Sequence, residues 1–188
     1  HERAKTNKGK REFLTIDEVK TLIDAPCRRE DIKSAFLFSC YCGLRISDVL
    51  ALKWKNVDCT GEQWHINIIM QKTQQPLYLP LSMQARKWMP ERDGSGEEEA
   101  VFSTLPCEDT CNVQIKQWVK EAGITKHVTY HVSRHTFATM LLTLGADLYT
   151  VCKLLGHTDV KTTQIYAKII NKKKDDAIGL IDTEFAYT

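Results

Sequence analysis

The sequence lacks any run of 18 consecutive apolar residues, which excludes a membrane-spanning helix. Proline and glycine are few, five and nine among 188 residues, and 43% of residues are hydrophobic, which argues against collagen-like, low-complexity and disordered chains. The formal net charge is only +2, so the overall charge indicates no particular partner. A chain of this length suits one domain, or one domain with a small appendage, that buries about two-thirds of its unfolded surface.

The cysteines form no pattern typical of a disulfide framework or a zinc finger. The seven cysteines are an odd, scattered set, and Cys40 lies in an apolar stretch where a thiol behaves as a small hydrophobe. The pair Cys107 and Cys111 has no second pair and no histidines at zinc-finger spacing. We therefore expect reduced thiols, as in the cytoplasm. The chain begins at His1 with no charged and then apolar leader, so we expect a fragment or processed product without a secretory signal.

The small net charge conceals two regions of opposite sign. Residues 91–110 carry seven acidic side chains against one arginine, whereas residues 116–174 carry ten lysines and arginines against three acidic residues. A basic half suits a polyanion such as DNA. A solvated lysine-rich surface explains the same charges equally well, so charge alone leaves both interpretations open.

Capping residues and glycines predict a mostly α fold with a small antiparallel β-sheet (α+β). Thr15 and Glu18 have the spacing of a capping box, and Gly43 ends a second, largely apolar helix that begins near residue 31. Ser47 is the predicted cap of a short third helix. Later helices are predicted over about residues 82–89, 109–122, 130–144, 147–156 and 158–166.

The sheet is predicted near the middle of the chain. Residues 64–70 alternate between apolar and other side chains, the period-2 pattern of a half-buried strand, and residues 76–80 read as a second extended segment. Residues 71–75 form the predicted hairpin tip, without a glycine to define the turn.

Six residues stand out as candidates for chemistry: Arg45, Lys72, His131, Arg134, His157 and Tyr166. Taken singly, each has an ordinary explanation, because isolated cations are usually solvated and a histidine in a helix is usually structural. Together they supply two guanidiniums, two imidazoles, an ammonium and a phenol, with no evident pair of catalytic carboxylates. Such a set suits a phosphodiester whose negative charge grows in the transition state.

A zinc site is the alternative for part of this set. His131 and His135 have the i, i+4 spacing of a two-histidine site, but a metalloprotease helix needs a glutamate directly after the first histidine. Val132 occupies that position, and Arg134 between the two histidines would repel a dication. We therefore expect no zinc ion at this pair of histidines.

In its motifs the sequence resembles the catalytic domain of tyrosine recombinases, the phage- and transposon-type integrases. The matching segments are TIDE at 15–18, GLRISDV at 43–49, the lysine hairpin around 72–73, HVSRHTFAT at 131–139, LLGHTDV at 154–160 and TTQIY at 162–166. They follow the family's order and spacing over about residues 13–178. Ser133 departs from the pattern, since leucine is common at that position.

The resemblance implies the division of the chain. Residues 1–11 would be a basic linker or lead-in segment, residues 12–176 the catalytic domain, and residues 177–188 a C-terminal tail. In the family such a tail often docks on a neighbouring protomer, and packing back on its own domain is the alternative.

The resemblance also implies roles at the phosphate. Arg45 and Arg134 would hold the non-bridging oxygens of the scissile phosphate, and His157 would donate a third hydrogen bond. Asp48 would lie behind them and orient an arginine, although a surface helix carboxylate is an equal alternative. His135 would cap or pack, since the family's phosphate contacts are already filled.

Three further roles concern proton transfer and bond cleavage. Lys72 would protonate the departing 5′ oxygen, and His131 would act as a proton acceptor or a phosphate ligand. Tyr166 would be the nucleophile, whose phenol has a reference pKa of about 10 and needs a cationic pocket to favour phenolate.

The implied function is site-specific recombination of double-stranded DNA through a 3′-phosphotyrosine intermediate, without metal or cofactor. The resemblance further implies a homo-oligomer, a tetramer on DNA, with accessory DNA-bending proteins, in the cytoplasm of a prokaryotic cell and associated with its nucleoid. Three alternatives stay open: relaxation of DNA in the manner of a type IB topoisomerase, a DNA-binding module without catalysis, and a metal-dependent hydrolase built on His131 and His135.

Overall fold

The computed structural model describes residues 11–157 and 167–186, and this part of the chain is mostly helical with one small antiparallel sheet, as predicted. The helices are α1 Ile16–Asp24, α2 Glu30–Cys42, α3 Ile46–Ala51, α4 Met83–Lys87, α5 Glu108–Glu121, α6 Val132–Leu144, α7 Leu148–Leu154 and α8 Ala167–Glu184. The strands are β1 Val57–Asp58, β2 Trp64–Ile69 and β3 Pro76–Leu81. The helix predicted over 158–166 lies outside the described residues.

The helix boundaries follow the capping signals closely, with one exception. Thr15 caps α1 in a complete capping box, since its hydroxyl accepts from the Glu18 amide while the Glu18 carboxylate accepts from the Thr15 amide. Ser47 was predicted to cap α3, and that prediction was wrong. The helix begins two residues earlier than a Ser47 cap implies, at Ile46, with Arg45 in the N-cap position and no side-chain cap, because the chain turns directly after Gly43 to bury Leu44.

The sheet runs in the order β1-β2-β3, and both pairings are antiparallel. Ile66 pairs with Leu79 in the buried layer, in agreement with the alternation seen in the sequence. The two-residue β1 was not predicted, because it is too short to show a period. In the β2–β3 turn Gln74 adopts a positive φ of 55°, the conformation that a glycine usually supplies.

The main core surrounds α2, which is buried along most of its length. Phe36 makes edge-on contacts with Trp118 of α5 and with Tyr130, each at 5.9 Å between ring centroids. The Tyr130 hydroxyl donates to the Ala35 carbonyl oxygen at 2.7 Å and lies 2.9 Å from the Ser39 hydroxyl. These contacts place the C-terminal end of α2 beside the N-terminal end of α6.

A smaller apolar cluster joins α6 to α7. Its buried members are Phe137, Ala138, Leu142, Val151 and Leu155. Farther along the chain, α8 continues without a break across the predicted boundary between residues 176 and 177. None of the described helices is long and apolar enough to cross a lipid bilayer.

Candidate functional site

One open cavity of about 410 Å³ collects most of the side chains that the sequence singles out. Five of the six candidates line it: Arg45, Lys72, His131, Arg134 and His157. Arg11, His135 and Leu155 complete the lining. Tyr166, the sixth candidate, lies outside the described residues. Predicted candidates up to 112 positions apart in the chain, Arg45 and His157, therefore meet at one place, as a single site requires.

Two glycines form the turns that position candidate side chains at the cavity. Gly43 ends α2 with a φ of +77°, and a Cβ there would lie 2.5 Å from Phe137 Cδ1, so only glycine fits both the backbone and the packing. Gly156 has a φ of +67° and packs closely against the Met70 side chain. Arg45 follows the first turn by two residues, and His157 follows the second directly.

Arg134 is the most firmly held cation of the site. Its side chain is buried, and its guanidinium donates from Nη1 to the Gly43 carbonyl oxygen at 2.8 Å and from Nη2 to the Leu155 carbonyl oxygen at 2.6 Å. Nη2 also lies 3.0 Å from His157 Nε2. Because a guanidinium has donors only, His157 must accept at Nε2 and carry its proton on Nδ1 in this arrangement. One guanidinium thus connects α6 to both glycine turns.

Arg45 and Lys72 belong to neighbouring elements and are less buried than Arg134. Arg45 lies at the N-cap of α3, with Nη1 3.9 Å from the Met70 sulfur. Lys72 lies in the β2–β3 turn and is exposed to solvent. Met70 contacts both the Arg45 side chain and the Gly156 turn, so the end of β2 packs between two parts of the site.

Asp48 holds the lysine hairpin. Its side chain is 2% exposed, and Oδ1 accepts a 2.7 Å hydrogen bond from the Gln71 amide, one residue before Lys72. Oδ2 accepts no hydrogen bond from any residue that the structure describes. The alternative of a surface carboxylate was therefore wrong. The hydrogen bond of Asp48 goes to the hairpin backbone, and Arg45 instead contacts Met70.

The cavity keeps its histidines neutral. Burial, reinforced by Arg134 and Arg45, lowers the pKa of His157 to about 4. Burial, reinforced by His131 and Arg11, lowers the pKa of His135 to about 4. The pKa of His131 is lowered by the same kind of environment, with desolvation first and Arg134 next. At pH 7 the positive charge of the cavity therefore comes from the arginines and the lysine.

The donor set of the cavity suits an anion. Among the described lining residues there is no aspartate and no glutamate. Over residues 11–157 and 167–186, no group of three or more His, Cys, Asp or Glu side chains is arranged to hold a metal ion. Guanidinium, ammonium and imidazole groups that converge without carboxylates are instead typical of a phosphate site.

Besides Leu155, two lining residues with polar side chains were not predicted as part of the site, Arg11 and His135. Arg11 was assigned to a linker, and no signal in the sequence connects it to the cavity. His135 was expected to cap or pack, and its ring does pack perpendicular to the His131 ring at 4.7 Å between centroids. The i, i+4 spacing of these histidines was the signal that could have placed both rings on one face of α6.

Comparisons with known proteins agree with this fold. The profile described as the phage integrase family matches residues 12–173. Tyrosine recombinase XerC of Alcanivorax borkumensis is 31% identical over 178 residues, which cover 86% of this chain and 57% of the relative. The chain thus spans little more than half the length of that curated relative.

Solved structures give the same result. The crystal structure of XerA recombinase is similar with a TM-score of 0.69 at 25% identity, covering 94% of this chain and 66% of the other. The Tn1549 transposon integrase, solved in complex with circular intermediate DNA, is similar in fold with a TM-score of 0.63 at 20% identity, covering 83% of this chain and 60% of the other.

Proposed function

Because the chain belongs to the phage integrase family, we propose that it is the catalytic part of a site-specific DNA recombinase that cleaves and rejoins strands through a 3′-phosphotyrosine intermediate. The observation that carries the proposal is the cavity. Three guanidiniums, an ammonium and three imidazoles converge there from separate parts of the chain, with no carboxylate among the described lining residues. This arrangement is complementary to a phosphodiester that gains negative charge during the reaction.

Arg134 and Arg45 bind the non-bridging oxygens of the scissile phosphate in this proposal. Arg134 is preorganised, because two backbone carbonyls hold its guanidinium in a buried position. Preorganised donors need little rearrangement when charge develops on the phosphate, which is the main source of electrostatic catalysis. His157 is in contact with Arg134 Nη2 and completes the set as a neutral imidazole at pH 7.

The reaction proceeds in two transesterifications. The phenol oxygen of Tyr166 forms a bond to phosphorus, its proton passes to His131, and the bond from phosphorus to the 5′ oxygen breaks. Lys72 donates a proton to that oxygen, which leaves as a 5′-hydroxyl. The 5′-hydroxyl of the partner strand then attacks the phosphotyrosine and gives its proton to Lys72, while the bond from phosphorus to Tyr166 breaks and the phenol regains its proton from His131. His131 suits proton acceptance because its lowered pKa keeps it neutral at pH 7.

The partner in this proposal is double-stranded DNA, supported by the basic cavity and by the similar Tn1549 integrase in complex with DNA. Assembly as a tetramer on DNA is also proposed, and the exposed apolar side chains of α8 support it. Ile178, Leu180 and Ile181 are each more than half exposed, as expected of a helix that docks on a neighbouring protomer. Accessory DNA-bending proteins and a place at the nucleoid in the prokaryotic cytoplasm stay predictions of the family resemblance.

Covalent trapping tests the chemistry. The protein is incubated in EDTA with nicked duplexes that carry candidate attachment sites, and SDS-resistant adducts are counted for the wild type and for Tyr166→Phe. We expect an adduct that survives EDTA and disappears in the variant, whereas Tyr149→Phe, which alters an exposed tyrosine on α7, keeps it. An adduct that persists in Tyr166→Phe would exclude Tyr166 as the nucleophile, and cleavage that forms no adduct and stops in EDTA would favour a metal-dependent hydrolase.

A second readout separates recombination from the alternatives. Two duplexes with matching sites yield exchanged products if the protein recombines, whereas a type IB topoisomerase relaxes supercoiled DNA without exchange. A binding module without catalysis would give neither product, and Tyr166→Phe would then change nothing.

A further inference from the structure

The cavity contains one more cation than the proposed reaction uses. Arg45 and Arg134 are assigned to the two non-bridging oxygens of the scissile phosphate, and Lys72 to the departing oxygen. Arg11 lines the same cavity and has no role in those steps. Its position therefore calls for a ligand group other than the scissile phosphate.

The segment that carries Arg11 is anchored to the helix of the site. The Leu14 amide donates a 3.0 Å hydrogen bond to the Thr136 hydroxyl, two residues after Arg134 on α6. Lys126 donates from Nζ to the Phe13 carbonyl oxygen at 2.9 Å and forms a 2.7 Å ion pair with Glu18 at the start of α1. Arg11 is only two residues from this anchored backbone, so the fold holds the segment that carries Arg11 beside the cavity.

Arg11 lines the cavity together with His131 and His135. Its positive charge also contributes to the lowered pKa values of both histidines. Arg11 is itself exposed, which leaves its guanidinium accessible to a ligand at the mouth of the cavity.

We propose that Arg11 binds a second DNA phosphate, adjacent to the scissile one on the cleaved strand. This inference rests on the proposed function. A single phosphodiester carries one negative charge and two non-bridging oxygens, and Arg45 and Arg134 already match these. Successive phosphates of one strand lie about 3.4 Å apart along the helix axis, so a neighbouring phosphate follows closely. The cavity, at about 410 Å³, falls within the ~300–1,000 Å³ range of sites that hold ligands larger than one phosphate group.

The salt dependence of DNA binding tests this contact without requiring cleavage. Each phosphate contact contributes about 0.9 to the slope of log affinity against log salt. Arg11→Gln should therefore lower the slope by about 0.9, so that affinity falls about 3.5-fold less than in the wild type between 50 and 200 mM salt. Arg11→Lys, which keeps the charge, should retain the wild-type slope.

Arg28→Gln is the matched control, because Arg28 is an exposed arginine that does not line the cavity and pairs with Glu121. Its slope should equal that of the wild type. An unchanged slope in Arg11→Gln, or an equal loss in Arg28→Gln or Arg11→Lys, would overturn the proposal. Because this assay measures DNA binding alone, its result does not depend on whether the proposed cleavage chemistry is correct.

DNA substrates in which one phosphate is replaced by a neutral analogue then identify the phosphate that Arg11 contacts. In suicide substrates that trap the adduct, a methylphosphonate replaces in turn each of the two phosphates that flank the scissile one. At the phosphate that Arg11 contacts, the methylphosphonate should slow cleavage by the wild type by the same factor as Arg11→Gln slows cleavage of unmodified DNA. The same methylphosphonate should not slow cleavage by Arg11→Gln any further. If both substitutions slow the wild type and Arg11→Gln by equal factors, Arg11 contacts neither phosphate and the proposal is wrong.

Discussion

In the proposed mechanism, removing the Asp48 carboxylate should impair the protonation of the leaving group by Lys72. Asp48→Ala deletes the acceptor of the 2.7 Å hydrogen bond from Gln71, the residue before Lys72. A hydrogen bond from an amide to a buried carboxylate contributes about 1.5–3 kcal/mol. If that free energy serves to hold Lys72 in place, cleavage should slow by about 10- to 150-fold, which reaches only the lower end of the ~10²- to 10⁴-fold contribution of a general acid.

The assay compares two leaving groups at the scissile phosphate. One duplex carries the normal 5′ oxygen, and the other carries sulfur at that bridging position. A thiolate leaves without protonation, since a thiol is far more acidic than an alcohol. We expect Asp48→Ala and Lys72→Ala to be slow on the oxygen substrate and near the wild-type rate on the sulfur substrate. Arg45→Ala, which removes a phosphate ligand in the proposed mechanism, should be slow on both.

Asp48→Asn is the conservative control, because its amide oxygen still accepts from the Gln71 amide. It should retain more of the activity on the oxygen substrate than Asp48→Ala does. Thermal unfolding of each variant is measured in parallel, so that lost rate is compared only between folded proteins. If Asp48→Ala is equally slow on the oxygen and sulfur substrates, Asp48 does not act through Lys72 and this reasoning fails.

Two further predictions concern folding. Gly43→Ala places a Cβ 2.5 Å from Phe137 in left-handed backbone, so the free energy of unfolding, measured in urea, should fall by about 2–5 kcal/mol. Gly123 has a similar φ of +79° but open space around it, so Gly123→Ala should lower the free energy of unfolding by only about 1–2 kcal/mol. Equal losses in the two variants would contradict the packing argument. Because the folded pKa values of His157 and His135, both about 4, lie below the unfolded value of about 6.5, stability should be complete above pH 6.5 and fall as the pH drops toward 4. Melting temperatures from pH 8 to 4 test this, and His135→Gln should reduce the decline, whereas an unchanged decline would refute the contribution of His135.

The local signals in the sequence predicted most of the fold because they act within a few residues. The capping box at Thr15 and the glycine at 43 each satisfy backbone groups of their own helix, so spacing alone reveals them. The Ser47 cap failed because burial of Leu44 moved the start of α3. Propensity at one position is weaker than the packing of the segment around it.

The candidate site was predictable as a set of residues but not as a set of contacts. Motif spacing identified the five described candidates that line the cavity, and the resemblance supplied their expected roles. Arg11 was missed because its position depends on the hydrogen bond from Leu14 to Thr136, across 122 positions of the chain. The contact of Asp48 with Gln71 was missed for the same reason, since a hydrogen bond between distant segments has no local pattern.

The two carbonyls that hold Arg134 belong to different apolar clusters. Gly43 ends the helix at the centre of the main core, whereas Leu155 belongs to the small cluster of five buried residues between α6 and α7. Small clusters open locally at a lower free energy than a protein's main core. Opening of α7 alone would remove the Leu155 carbonyl and His157 from Arg134 while α2 stays folded. Heat should therefore disable catalysis before it unfolds the protein, and amide hydrogens of α7 should exchange faster than those of α2.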